Sequence, residues 1–437
     1  ACHYRVLADD PRAVTGFPEV NIGLMPGAGG TQRTPRLIGF REAATMILQC
    51  RNKKPEQALK LGLVDELAPA EQVVERARRW VLEEGDPVAP WDKKGFKIPH
   101  GGLMHPGTAQ TFIMGNSLLA KNTRHNYPAP IAAQSAIYEG CATSIDDGLK
   151  IESQYFGNLL SGPVARNMMR SLFVNKGNAD KLARRPEGIE KSKVSKLGIL
   201  GAGMMGAGIA YVSAKAGIGV VLLDTSLENA ERGKAYSEGL LKKAIERGRS
   251  TEEKAAALLG LIKPTTDYAD LEGCDLVIEA VFESQQLKAD VTAKTEAVVP
   301  ESCIFASNTS TLPITGLAKA SERPEQFIGL HFFSPVDKMP LVEIILGEKT
   351  NDEAVARSLD YIQQIRKTPI VVNDSRGFYT SRVFSTFTGE GIAMLAEGVK
   401  PALIENAAKM VGMPVGPLAV TDEVTLELAY KIGKETA

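Results

Sequence analysis

The sequence predicts an α/β fold built on a mostly parallel, doubly wound sheet. Three observations carry that reading. Short, near-continuous apolar runs recur between helical patterns, as strands buried on both faces require. Residues 194–224, VSKLGILGAGMMGAGIAYVSAKAGIGVVLLD, set a strand, a glycine-rich turn, a helix and a second strand in the order of a βαβ unit. The chain has 437 residues, enough for roughly two to four domains with cores of their own.

In chain order, residues 1–70 alternate short β-like runs with a Gly/Pro loop, MPGAGGTQRTPRLIG, before a helix from Arg41 to Gln49. Residues 71–85 read as a charged helix. The stretch 86–130 is rich in Pro, Gly and His with little periodicity, and is expected to be a long surface loop. Helical patterns return at 131–183, broken near Gly162-Pro163, and RRPEGIEKSK at 184–193 reads as a solvated linker marking a boundary near residue 190. A helical pair, 227–248 and 251–260, follows Asp224. Strands are expected at 275–281, 303–308, 327–333, 341–345 and 369–373, and helices at 378–397, 401–411 and 422–434.

Each glycine of the turn has its own reason. Gly201 permits the tight turn, Gly203 lets the backbone approach a pyrophosphate, and Gly206 lets the helix press on the strands, with the helix N-terminus facing the phosphates. Asp224 closes the second strand about 20 residues on, where a carboxylate accepts hydrogen bonds from a ribose. It repels a 2′-phosphate, and Thr225 and Ser226 bring no cation, so NAD is favoured over NADP.

Chemistry beyond nucleotide binding is suggested by residues 303–345. His331 stands at the end of a strand, where an open α/β sheet places its ligands, and Glu343 stands 12 residues on in the next strand, within reach of a hairpin-like return. Oxidising a secondary alcohol requires a base for the hydroxyl proton. A neutral imidazole suits pH 7, and a carboxylate fixes its tautomer.

The formal charge is −1 with no long basic run, so nucleic acid is not an expected partner. Cys2, Cys50, Cys141, Cys274 and Cys303 are odd in number and widely spread, consistent with reduced thiols and a cytoplasmic location. No apolar run approaches about 18 residues, so no membrane span is expected, nor is a metal site. Residue 1 begins inside ACHYRVLADD without an initiator Met or a signal peptide, which suggests a chain cut from a longer one.

The run FASNTS…GLHFF.P…MPLVEII behind a GAGxMG loop resembles the (S)-3-hydroxyacyl-CoA dehydrogenases of fatty-acid β-oxidation. FPEVNIGLMPGAGGTQRTPRLIG resembles the enoyl-CoA hydratase (crotonase) family. Both in this order are similar to the bacterial multifunctional fatty-acid oxidation enzymes of α-subunit type. The resemblance implies a partial crotonase-like region with linker helices at 1–190, a Rossmann-type NAD-binding domain at 191–374 and a partial helical dehydrogenase domain at 375–437. It implies NAD-dependent oxidation of (S)-3-hydroxyacyl-CoA, with His331 as base, Glu343 orienting it, and Ser310 holding the substrate oxygen beside the nicotinamide. Gly201, Gly203, Met205, Gly206, Asp224, Val281, Phe282, Glu283 and Lys288 would line the cofactor, although the residues alone favour a solvated helix start for Glu283 and Lys288.

Ser334 and Ser381 stand where the family usually has Asn; Ser334 would lie at the cofactor and Ser381 at the substrate, with water able to bridge the shorter side chain. Glu19 matches the second of two hydratase carboxylates; the first, and the oxyanion loop, would precede residue 1, so no hydratase activity is expected of this chain. A thiolase partner and a homodimer through the helical domain are implied by the resemblance alone. Two other readings stay open on the residues: a dehydrogenase of free β-hydroxy acids with a Lys base, and a catalytically compromised chain that binds NAD and docks partners.

Overall fold

The computed structural model describes residues 2–424. It divides into two compact units, one formed by the chain up to Asn175 with the described residues from Met394 onward, the other by Lys176–Ala393.

The first unit is mainly helical. Its strands β1 (Val6–Ala8) and β2 (Glu66–Ala68) pair in parallel, Val6 opposite Glu66. Met25, Phe40, Ile47, Ala133 and Ile137 centre its larger core, and Ile38, Met46 and Ala58 a smaller one. Two expectations are corrected here. The Gly/Pro loop ends at Gly29, and a helix runs Gly30–Ile38. Its N-terminus is capped from far along the chain: buried Glu152 accepts the N–H groups of Gly29 (2.5 Å) and Thr31 (2.9 Å). The stretch 86–130 is not one long loop but contains the helix Pro106–Thr123, with proline in its first turn and His105 Nδ1 accepting the Gly107 N–H at 3.2 Å. Gly107, Gly115 and scattered apolar residues leave that helix no clear stripe to read. The 131–183 pattern resolves into Pro128–Cys141, Ile145–Ser161, Pro163–Met168, a π-helical turn Met169–Asn175 and Lys176–Asp180, with the break at Gly162-Pro163 where expected.

The second unit carries the sheet: β3 (Lys196–Leu200), β4 (Gly219–Leu223), β5 (Ile262–Thr265), β6 (Leu276–Glu279), β7 (Ile304–Ser307), β8 (Phe327–Phe332), β9 (Leu341–Leu346) and β10 (Thr368–Asn373). Their spatial order is β10-β9-β8-β7-β6-β3-β4-β5. All neighbours are parallel except β8 and β9, so β9 and β10 run against the other six. β5 escapes a sequence reading because it is the short edge strand IKPT, and Pro264 is tolerated only at such an edge.

Alternate residues enter two cores. Ile199, Leu222, Ile278, Ile328 and Ile344 pack on one face, and Val221, Val277, Phe305, Phe327 and Ile345 on the other. By the same alternation His331 and Glu343 share the second face. The segment 184–193 has no helix or strand and is largely exposed, as a solvated linker should be, but it is pinned at two points: Arg185 forms a bidentate pair with buried Asp360 (2.8 and 3.0 Å), and the Ser192 N–H donates to the same carboxylate at 2.8 Å. The helices Thr380–Ala396, Pro401–Met410 and Pro417–Val424 follow; the rest of the helix expected over 422–434 lies outside the described residues.

Candidate active site

The βαβ turn fits a dinucleotide. Gly201 has φ +94°, and a Cβ there would meet the Ala280 carbonyl at 2.7 Å; a Cβ on Gly206 would lie 1.8 Å from the Gly201 carbonyl. Those two glycines hold the helix Met204–Lys215 against β3, whereas Gly203 has no atom within 4 Å of its Cβ position and leaves the helix N-terminus open to phosphate. Asp224 Oδ1 accepts the Thr225 N–H (2.7 Å), the Thr225 hydroxyl (3.1 Å) and Asn229 Nδ2 (3.2 Å), and Oδ2 accepts the Ala202 N–H at 2.7 Å. A carboxylate has about four lone-pair sites, so Oδ2 retains capacity for a ribose hydroxyl. Burial raises the Asp224 pKa, but the backbone bonds from Ala202 and Thr225 outweigh it and hold the group below the usual carboxylate range. Met205 packs into the core beneath the turn, Val281 is half-buried, and Phe282 is 87% exposed.

Next to β3, the end of β6 anchors a polar network. Glu279 is 1% and Lys288 3% exposed, and Lys288 Nζ lies 2.8 and 3.0 Å from the two Glu279 oxygens and 3.3 Å from Glu283 Oε2. The expectation of a solvated helix start is therefore overturned for Lys288, whose charge is paired within the fold. The Ser307 hydroxyl also donates to Glu279. Glu283 Oε1 accepts the Thr309 hydroxyl (2.9 Å), the Ser310 N–H (2.8 Å) and the Ser310 hydroxyl (3.2 Å).

Two strands along, β8 and β9 bring His331 directly opposite Glu343. His331 Nδ1 lies 2.6 Å from Glu343 Oε2, with His331 7% and Glu343 0% exposed. The start of helix Thr380–Ala396 completes the carboxylate's shell: Oε1 accepts the N–H groups of Tyr379 (3.2 Å) and Thr380 (2.9 Å), and Oε2 accepts the Thr380 hydroxyl at 2.7 Å. Burial pushes the Glu343 carboxyl up, yet the bonds from His331 and Thr380 outweigh it and bring it below the ordinary range. An ionised Glu343 accepts a hydrogen bond from Nδ1–H and keeps the ring proton there, which leaves the lone pair on Nε2. Phe333 and Phe378 flank the ring with centroids at 4.4 and 6.1 Å.

Ser381 and Ser334 both find protein partners. The Ser381 hydroxyl donates to the Ser310 carbonyl at 3.1 Å, and the Ser334 hydroxyl to Met204 Sδ at 3.5 Å. Glu19 lies in the first unit, in the short helix Glu19–Ile22, where its Oε2 is buried without a hydrogen-bond partner. Sequence reasoning missed Glu279, Thr309 and Thr380. An acid inside the apolar run LVIEAV was a usable signal for Glu279, because a charge in a buried strand requires a partner.

With this geometry in view, comparison with known proteins is direct. Residues 196–375 match the NAD binding domain of 3-hydroxyacyl-CoA dehydrogenase, and residues 377–437 its C-terminal domain. The (S)-3-hydroxybutyryl-CoA dehydrogenase of Ralstonia eutropha is similar, with 38% identity and a TM-score of 0.53 over 54% of this chain and 84% of that one. The chain belongs to the 3-hydroxyacyl-CoA dehydrogenase family. The 3-hydroxybutyryl-CoA dehydrogenase of Escherichia coli is similar at 34% identity and a TM-score of 0.52, over 53% of this chain and 50% of that one. Residues 1–84 match the enoyl-CoA hydratase/isomerase model. The fatty acid oxidation complex subunit alpha of Shewanella amazonensis is 38% identical over 99% of this chain, which spans 61% of that protein's length. In this chain the matched NAD binding domain contains the eight-stranded sheet, and the His331–Glu343 pair stands within it.

Proposed function

We propose that the chain oxidises (S)-3-hydroxyacyl-CoA to 3-oxoacyl-CoA, with His331 as general base. The observation that carries this is the buried His331–Glu343 pair, in which every other acceptor site of the carboxylate is filled by the start of helix Thr380–Ala396. Bound NAD would supply the acceptor for a hydride from C3. His331 Nε2 would take the hydroxyl proton, and Glu343 would stabilise the resulting imidazolium. Ser310 holds the reacting oxygen. Asp224 and the open turn at Gly203 orient the adenosine ribose and the pyrophosphate.

Lys288 is not read as a lysine base, because its ammonium is held by both oxygens of buried Glu279 at 2.8 and 3.0 Å. For Glu19, the unpartnered buried oxygen is consistent with the second-carboxylate place that the hydratase resemblance implies, and no hydratase activity is assigned to this chain. A thiolase partner, a homodimer through the helical domain and a cytoplasmic location follow from the family reading; no described helix is long and apolar enough to cross a membrane. The test is NADH formation from NAD and a medium-chain (S)-3-hydroxyacyl-CoA. Turnover supports the reading; bound NADH without turnover favours a chain that only binds cofactor and docks partners.

A further inference from the structure

We infer that Glu279 is a positioning residue: through Lys288 and Ser307 it sets Glu283 and the turn 307–310, and with them the place of Ser310. The inference rests on the dehydrogenase reading above and adds a group that lies behind the reacting atoms.

A carboxylate and an ammonium both withdrawn from water are tolerated only when paired and hydrogen-bonded, and removing one partner leaves the other uncompensated. Here Glu279 hydrogen-bonds Lys288 with both oxygens, while Glu283 Oε2 lies 3.3 Å from the ammonium as an ion pair without a hydrogen bond. Lys288 is thus a fixed cation between two carboxylates. It orients Glu283 so that Oε1 points at the turn, where it receives three donors from Thr309 and Ser310.

Glu279 reaches the same turn by a second route. Its Oε1 accepts the Ser307 hydroxyl, and Ser307 Oγ in turn accepts the Thr309 N–H at 3.3 Å. The turn is therefore gripped at Ser307 and at Thr309–Ser310 by two carboxylates coupled through one lysine.

The consequence falls on Ser310: its N–H and its hydroxyl both donate to Glu283 Oε1, which fixes where Ser310 Oγ stands beside the reacting oxygen.

The test compares wild type, Glu279→Gln and Ser307→Ala. Glu279→Gln frees Lys288 to draw Glu283 off the turn; a misplacement of about 1 Å costs on the order of 100-fold, so kcat is expected to fall about 10- to 100-fold. Ser307→Ala keeps both charges paired and so retains the fold; kcat is expected to fall about threefold to tenfold. NADH affinity, read by fluorescence on the same proteins, is expected to stay within about threefold of wild type in both. Wild-type kcat in Ser307→Ala, or a loss confined to NADH affinity in either variant, overturns the inference, and the first result does so even where Glu279→Gln fails to fold. Absence of turnover in wild type instead defeats the dehydrogenase reading itself.

Discussion

Replacing Glu343 by Gln probes the dyad with almost no change in shape. The carboxylate accepts four hydrogen bonds: Oε1 takes two backbone N–H groups, and Oε2 takes His331 Nδ1–H and the Thr380 hydroxyl. An amide has one acceptor oxygen and one donor nitrogen. With the nitrogen at the Oε1 place it would face two N–H donors, each left unsatisfied at about 1–3 kcal/mol. The nitrogen therefore takes the Oε2 place, where Thr380 can rotate to accept. His331 Nδ1 must then accept as well, which moves the ring proton to Nε2 and removes the base. Loss of general-base catalysis is worth about 10²–10⁴ in rate, or about 3–5 kcal/mol of barrier. NADH formation from saturating (S)-3-hydroxyacyl-CoA is expected to slow by that factor while the NADH dissociation constant stays within about threefold. A variant with kcat within threefold of wild type would refute the assignment of the tautomer to Glu343.

Three further outcomes follow from particular contacts. Asp224→Asn exchanges an acceptor for a donor in a site already receiving four hydrogens, so the KM for NAD is expected to rise about tenfold, or about 1.4 kcal/mol, with less change for NADP; an unchanged NAD to NADP preference would contradict the ribose role. Gly206→Ala drives a methyl against the Gly201 carbonyl and should cost about 3 kcal/mol, read as a fall in Tm with lost NADH binding; a wild-type Tm would show that the turn yields. Asp360 is buried, which raises its pKa, but Arg185 and Ser192 bring it below the unfolded value of about 3.9. Its contribution is therefore present above that pH and lost as pH falls through the lower folded value. The stability gap between wild type and Asp360→Asn should be about 3 kcal/mol at pH 7 and shrink below about pH 4; a gap independent of pH would contradict it.

What could be read from the sequence was whatever local pattern or fixed spacing encodes. The glycines of the βαβ turn, the acid at Asp224 and the strand-end His331 with Glu343 in the next strand all stand where their spacing placed them. Groups paired over long separations were hidden. Glu152 caps Gly30–Ile38 from more than a hundred residues away, so that helix read as a loop. Lys288 looked like a solvated helix residue because its partner Glu279 lies across a turn in a strand that reads as apolar. Arg185 and Ser192, in the largely exposed segment 184–193, gave no sign of their shared acceptor Asp360, which comes from a distant helix. In each case a polar side chain gave no local sign of whether water or a remote partner would satisfy it.

The central claim is that His331 is the base of an NAD-dependent alcohol oxidation, and the most direct measurement is NADH formation by wild type and His331→Gln side by side. The account predicts turnover by wild type, at least about 100-fold slower in the variant, with NADH bound equally by both. Equal turnover in the two proteins would contradict it.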